Sequence, residues 1–186
     1  GSRMADVAHA LDQPHGDEPI SQLHATLPLI TRRFDARQLN AVVNHPSVHR
    51  WVKGYTIGDM DLGPVIENRA NVLLMGEHGG MLFHNHMGAV YEVHTQVLPA
   101  GRGQWAVWMA HACFHRMFTQ SPCLEVLTRV PKGNISARVL TRMMNFQFEF
   151  TRPAALRGWV MDGDPIPADI FSLTMQTWVS KAPGLV

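Results

Sequence analysis

Residues 90 to 118 leave this chain few ways to fold. Val90-Tyr91-Glu92-Val93-His94-Thr95-Gln96-Val97-Leu98 reads as a strand, stops at Pro99-Ala100-Gly101-Arg102-Gly103, and gives way to a helical period. Trp105, Trp108, Met109, Ala112, Cys113 and Met117 recur at helical spacing, with Phe118 extending the apolar face. An amphipathic helix that follows a strand so closely has to bury its stripe against a sheet, which commits the chain to layered α and β structure. The arrangement recurs downstream. Leu124 to Val130 is β-rich, Pro131-Lys132-Gly133 turns the chain, and Ile135, Val139, Leu140 and Met143 mark a second helix.

The flanking segments fit the same plan. Leu27 to Ile30 predicts a first strand. Asp35 is a candidate N-cap for a helix through Ala41, Val42 and Val43 that breaks near His45-Pro46. Ser47 is placed to cap a short helix with Val48, Trp51 and Val52, and Gly54 to Gly63 reads as loop. Asn71 to Met75 and Gly80 to His84 form a hairpin pattern around Gly-Glu-His-Gly-Gly, and Gly88-Ala89 separates it from the Tyr91 to Leu98 strand. Phe146, Phe148 and Phe150 alternate with Gln147 and Glu149 as in a half-buried strand, and Asp169 to Thr177 predicts a last strand. The pattern is α+β, or a mixed sheet of α/β type. With 186 residues, 46% of them apolar, the expectation is one domain over 20–186. It follows a loose, polar terminus at 1–19, where Gly1-Ser2-Arg3 ahead of Met4 reads as cloning residues.

Two sub-motifs then fall in order: Pro99-x-x-Arg102-Gly103, and Asn134-x-x-Ala137-x-x-Leu140 closed by Asn145-Phe146. Together they resemble the acetyl-CoA-binding core of the GNAT (Gcn5-related) N-acetyltransferase superfamily, closest in flavour to small phage- and bacteria-encoded members. The resemblance implies a GNAT-like acyl-CoA N-acyltransferase fold, a mostly antiparallel sheet with a V-shaped splay, flanked by helices. It also implies acetyl-CoA as co-substrate, with Arg102, Gly103, Gln104, Asn134 and Ala137 holding it. A backbone N–H at Val97 or Leu98 would receive the developing oxyanion. The physics behind such a loop is general: unpaired N–H groups and the helix dipole attract phosphate, glycine lets backbone approach, and Arg adds a charged hydrogen bond. Two positions depart from the family pattern, Trp105 where a glycine is usual and Thr141 where a Tyr acid is common.

Direct attack of an amine on a thioester needs a base, an oxyanion donor and an acid. Glu92 and His94 lie two apart on one strand and share a face, while Tyr91 points to the other side as packing. His94 has a suitable unperturbed pKa of about 6.5; Glu92 acts as base only with a raised pKa or through water. Both are equally readable as structural hydrogen-bonding residues. Thr141 stands in the acid position with a hydroxyl that is a poor acid. His84-x-His86 and His111-x-x-x-His115 have metal-binding spacing but lack a completing ligand set, so no metal is expected. His84 or His86 is instead expected to line the acceptor cleft. His49 and Trp51 sit where family members wall that cleft, with core packing the alternative for Trp51, and Trp105, Trp108 and Met143-Met144 read as packing.

The expected activity is acyl-CoA-dependent N-acylation, with acetyl passing to a primary amine of a small molecule, a peptide terminus or a protein lysine. The competing expectation is a GNAT-fold protein that has lost catalysis and binds another protein. A net charge of +1 gives no nucleic-acid footprint. No apolar run approaches the roughly 20 residues of a membrane span, and no signal-peptide h-region is seen. Cys113 and Cys123 are too few for a disulfide framework, so a reduced, cytoplasmic setting is expected. A homodimer through the Phe146-Phe148-Phe150 strand or the last strand stays open.

Overall fold

The computed structural model describes residues 27–53, 56–157 and 165–181. The expected loose terminus, the start of the expected domain at 20 and Gly54 of the expected loop lie outside the described residues. In chain order the elements are β1 (Thr31–Arg33), α1 (Arg37–Val43), α2 (Pro46–Val52), α3 (Gly63–Glu67), β2 (Val72–Gly76), β3 (Gly79–Met87) and β4 (Val90–Val97). A 3-10 turn at Pro99–Gly101 follows, then α4 (Gln104–Gln120), β5 (Glu125–Pro131), α5 (Ile135–Met143), β6 (Gln147–Arg157), β7 (Pro165–Thr174) and α6 (Met175–Ser180).

The strands form one seven-stranded sheet in the order β1-β2-β3-β4-β5-β7-β6. β1 to β4 make the expected meander, and every neighbouring pair is antiparallel except β4 with β5. That exception follows from α4, which carries the chain back along the sheet so that β5 starts in the direction of β4. The β2–β3 turn is tight because Gly79 has φ 143, and a Cβ there would lie 2.1 Å from the Gln96 carbonyl oxygen. No other residue fits that spot.

Both sheet faces are covered over β2 and β3, which is why β2 is apolar at successive positions rather than alternating. On one face Val72, Leu74, Phe83, Tyr91 and Val93 meet Met109, Cys113, Phe114 and Met117 of α4 and Trp178 of α6. Phe114 stands edge-on to Phe83 at 5.9 Å and to Phe146 at 5.4 Å. On the other face Leu73, Met75 and Leu82 meet Leu39, Val43, Val48 and Ile66 of α1 to α3.

Several boundaries differ from expectation. β1 begins at Thr31, past the apolar run, and pairs Thr31 with Met75, while Ile30 packs on the core. Ala36, not Asp35, is the N-cap of α1; Asp35 lies one residue before it and accepts the Arg37 N–H. His45, not Ser47, caps α2: its Nδ1 accepts the Ser47 N–H at 3.2 Å. α3 is a short helix beginning where the expected loop ends. β7 ends at Thr174, whose hydroxyl oxygen accepts the Thr177 N–H and starts α6, so the expected strand over 169–177 crosses a strand–helix junction. Phe146 belongs to the core rather than to β6. Phe148 and Phe150 flank a bulge that breaks their alternation and leaves both exposed on the edge strand. Among the described residues no helix is long and apolar enough to cross a membrane.

Phe114 is the bridge between the sheet and the two C-terminal aromatics. Phe114→Ala should therefore lower stability by about 3–5 kcal/mol, seen as a lower denaturant midpoint with an unchanged slope.

Candidate functional site

β4 and β5 are paired only where Val90–Glu92 face Glu125–Leu127. Beyond Glu92 the two strands carry no pairing, and a gap opens between them. The Leu98 N–H donates to the His78 carbonyl at 2.8 Å. By the alternation of an antiparallel ladder, Gln96 and Leu98 direct their backbone groups toward β3, so Val93, Thr95 and Val97 direct theirs into the gap. Of the two expected oxyanion donors, Val97 faces the opening and Leu98 is committed to His78.

The gap leads to the start of α4. Gly103 is the N-cap residue at φ 86, and no side chain caps the helix. The amides of Gln104, Trp105 and Ala106 thus stand at the positive end of a 17-residue helix. A Cβ on Gly103 would meet nothing within 4 Å, so its glycine is required by φ alone. At Gly101 the requirement is close packing, since a Cβ there would lie 2.5 Å from His78 Cβ. Trp105 turns its indole toward the β2–β3 turn, edge-on to His78 at 5.1 Å and against Gly76 and Gly101. Its bulk supports the loop from the sheet side.

The second motif behaves differently. Asn134 Oδ1 accepts the Ala137 N–H at 3.1 Å, an ordinary N-cap. Thr141 is buried and donates its hydroxyl proton to the Ala137 carbonyl at 2.7 Å. A hydroxyl bonded back into its own helix directs no proton at a leaving group. Asn134, Ala137 and Thr141 are thus occupied with one another.

Glu92 and His94 do come together, on the face away from α4. The Glu92 carboxylate is 7% exposed and takes hydrogen bonds from Arg129 Nε at 2.8 Å and His86 Nε2 at 2.9 Å. Because a carboxylate only accepts, His86 carries its proton on Nε2. His94 Nε2 lies 4.0 Å from the same carboxylate, and the His84 and His86 rings meet edge-on at 5.7 Å. Burial pushes the Glu92 carboxyl up, yet His94, Arg129 and the two hydrogen-bond donors outweigh it and hold the group below the usual carboxylate range. Burial pushes His94 down, Glu92 opposes this, and Arg129 and the neighbouring imidazoles reinforce the lowering. At neutral pH the pair is therefore a fixed carboxylate beside a neutral imidazole.

Arg129 is the partner that sequence reasoning missed. Its signal was a lone charge in an otherwise apolar strand, Val126-Leu127-Thr128-Arg129-Val130. His49 Nε2 contacts the Gly58 carbonyl at 3.0 Å, and Trp51 lies under the Arg50 guanidinium at 5.2 Å. His111 and His115 stack on α4 with His111 5.0 Å from Trp178, on the opposite face from Glu92. Among the described residues no three His, Cys, Asp or Glu are grouped to hold a metal ion.

Comparison with solved structures agrees with this fold. A spermidine N-acetyltransferase from Vibrio cholerae, in complex with CoA and spermine, superposes with a TM-score of 0.65 at 14% identity, covering 81% of this chain and 98% of that one. A GNAT-family acetyltransferase from Bacillus anthracis gives 0.61 at 13%, covering 81% and 97%. A probable acetyltransferase gives 0.58 at 16%, covering 80% and 94%. No protein-family model matches the sequence, and no curated protein matches it significantly. The fold is that of the GNAT acetyltransferases.

The two titrations both make the protein sensitive to acid. Glu92 has a folded pKa below its unfolded value, so its contribution is present above about pH 4.3 and is lost as pH falls through the folded value. His94 also has a lowered folded pKa, so protonating it costs stability once pH falls below about 6.5. Urea midpoints measured from pH 8 down to pH 2 should fall in two stages. His94→Gln should shrink the upper stage and Glu92→Gln the lower.

Proposed function

We propose that the chain is an acyl-CoA-dependent N-acyltransferase that passes acetyl from acetyl-CoA to a primary amine by direct attack. The observation that carries this reading is the gap between β4 and β5, with the Val97 N–H on its rim and the uncapped start of α4 at its mouth. The site fits the nucleotide: Gly103 has a positive φ with open space beside it, and Arg102 is exposed next to three helix-start amides. Arg102, Gly103 and Gln104 are the residues that hold the pyrophosphate. When bound, acetyl-CoA supplies a thioester carbonyl, the electrophile.

The chain's own groups divide the remaining work. His94, kept neutral, accepts the proton that the amine loses as its nitrogen bonds to the carbonyl carbon. The C–S bond then breaks, and CoA leaves as a thiolate that takes its proton from water. Glu92, locked ionised by Arg129 and His86, stabilises the imidazolium so formed. The Val97 N–H offers a hydrogen bond to the oxygen on which charge develops. Thr141 takes no part. A cysteine acyl-enzyme is not needed and finds no nucleophile, because burial pushes Cys123 up to about 11 and Cys113 is raised by burial as well. The polyamine bound by the Vibrio protein is not carried over to this chain.

A second reading is a GNAT-fold protein that binds its partner without catalysis, and the inward-turned Thr141 hydroxyl favours it. Free thiol released from acetyl-CoA in the presence of amines separates the two. The enzyme reading expects amine-dependent release, with His94→Gln lowering kcat about 10²- to 10⁴-fold, the usual share of a general base. Arg102→Ala should weaken acetyl-CoA binding about ten- to a hundredfold in calorimetry, matching the loss of a charged hydrogen bond of about 1.5–3 kcal/mol. No binding at millimolar acetyl-CoA would sink the enzyme reading. Tight binding without transfer leaves the second one standing.

A further inference from the structure

We propose that the acceptor is an amine bearing an oxyanion, a carboxylate or phosphate, a few bonds from its nitrogen, and that Arg129 is the residue that grips that oxyanion. This rests on the N-acyltransferase reading and names its substrate class. The argument starts from a charge inventory of one sheet face. The pairing of Glu92 with His84 and Leu127, of His94 with Leu82, and of Arg129 with Ile170 puts these side chains on the same side of β3, β4, β5 and β7.

Among the described residues, Glu92 is the carboxylate beside the base, while Glu125 shares the face two residues before Leu127, away from the gap. Glu92 is buried, and its two oxygens are already bonded to Arg129 and His86. Glu149 lies farther off, on the edge strand beyond β7, and its carboxylate is bonded by the Ser172 hydroxyl. A polycationic acceptor therefore meets three imidazoles and a guanidinium, with the nearby carboxylate already neutralised. Bringing it there requires desolvating charge without a counter-charge.

An oxyanion meets the opposite situation. Arg129 directs Nε and Nη2 at Glu92, while Nη1 makes no hydrogen bond among the described residues. Its side chain is 44% exposed, and His94 beside the same carboxylate is 40% exposed. A guanidinium has five donors in a rigid fork, so one edge can hold Glu92 while the other binds a second carboxylate or a phosphate.

The test uses the full-length protein, acetyl-CoA and acceptors that share a two-carbon spacer: β-alanine, β-alaninamide, O-phosphoethanolamine and ethanolamine, with spermidine as the polycation. We expect kcat/KM for β-alanine or O-phosphoethanolamine to exceed that of its neutral counterpart by at least tenfold, and spermidine to be poorest. Which of the two anions leads tells carboxylate from phosphate. In the Glu92→Gln/Arg129→Gln double variant, which leaves no buried charge unpaired, the anionic-to-neutral ratio should fall to near one. In Arg129→Lys a reduced preference should persist. Acetyl-CoA binding reports that each variant is folded. Transfer that favours spermidine or the neutral amines overturns this inference alone, as does a ratio unchanged in the double variant. Absence of transfer to every amine overturns the N-acyltransferase reading and this inference with it.

Discussion

The parting of β4 from β5 is the constraint on which the rest of the structure depends. Parallel pairing is held for Val90–Glu92 against Glu125–Leu127 and then stops. Backbone N–H and C=O groups inside a sheet are almost always paired, so a strand that leaves its neighbour mid-sheet exposes polar backbone at a place where a ligand can meet it. Everything described as the site borders that gap: the Val97 amide on its rim, α4 starting at its mouth, and the Glu92–Arg129 pair beside its apex, where the last paired residues lie.

Packing keeps the gap open. β4 is held firmly on its other side, by the long ladder with β3 and by the Leu98 bond to His78. β5 is held by seven residue pairs with β7, from Glu125↔Thr174 to Pro131↔Ala168. Each strand is therefore more strongly bound to its outer neighbour than to its partner across the gap. The loop at the mouth is seated by contacts too tight for a side chain, at Gly76 and Gly101, with the Trp105 indole filling the space against His78. In the sequence Trp105 stands where the family pattern has a glycine, and it reads as packing. In three dimensions it is the wedge beneath the loop.

How much was legible in the sequence depends on whether the determining contacts were local. The strand–turn–helix units at Val90 to Trp105 and Leu124 to Leu140 were legible because strand alternation, Gly103 and the helical period are all written in adjacent residues. The insertion of β7 between β5 and β6 was not, since strand order is settled by long-range pairing. His45 displaced Ser47 as the α2 cap because its imidazole nitrogen accepts the Ser47 N–H, as a serine oxygen at position 45 would. The site split along the same line. Glu92 and His94 sharing a face followed from strand geometry, whereas the role of Arg129 required knowing that β5 lies beside β4. Asn134 fitted a pattern in sequence and Thr141 departed from one, yet both side chains serve the helix that carries them.

The central claim is that the gap and the start of α4 together receive acyl-CoA. Amide hydrogen exchange on the free protein and on the protein saturated with acetyl-CoA tests it most directly. The account predicts rapid exchange at Thr95, Val97 and Gln104 to Ala106 in the free protein, and slowing at these amides when the nucleotide binds. The Leu98 amide, already bonded to His78, should be protected in both states. Binding that leaves Val97 and the first turn of α4 unchanged, or protects a different surface, would contradict the account.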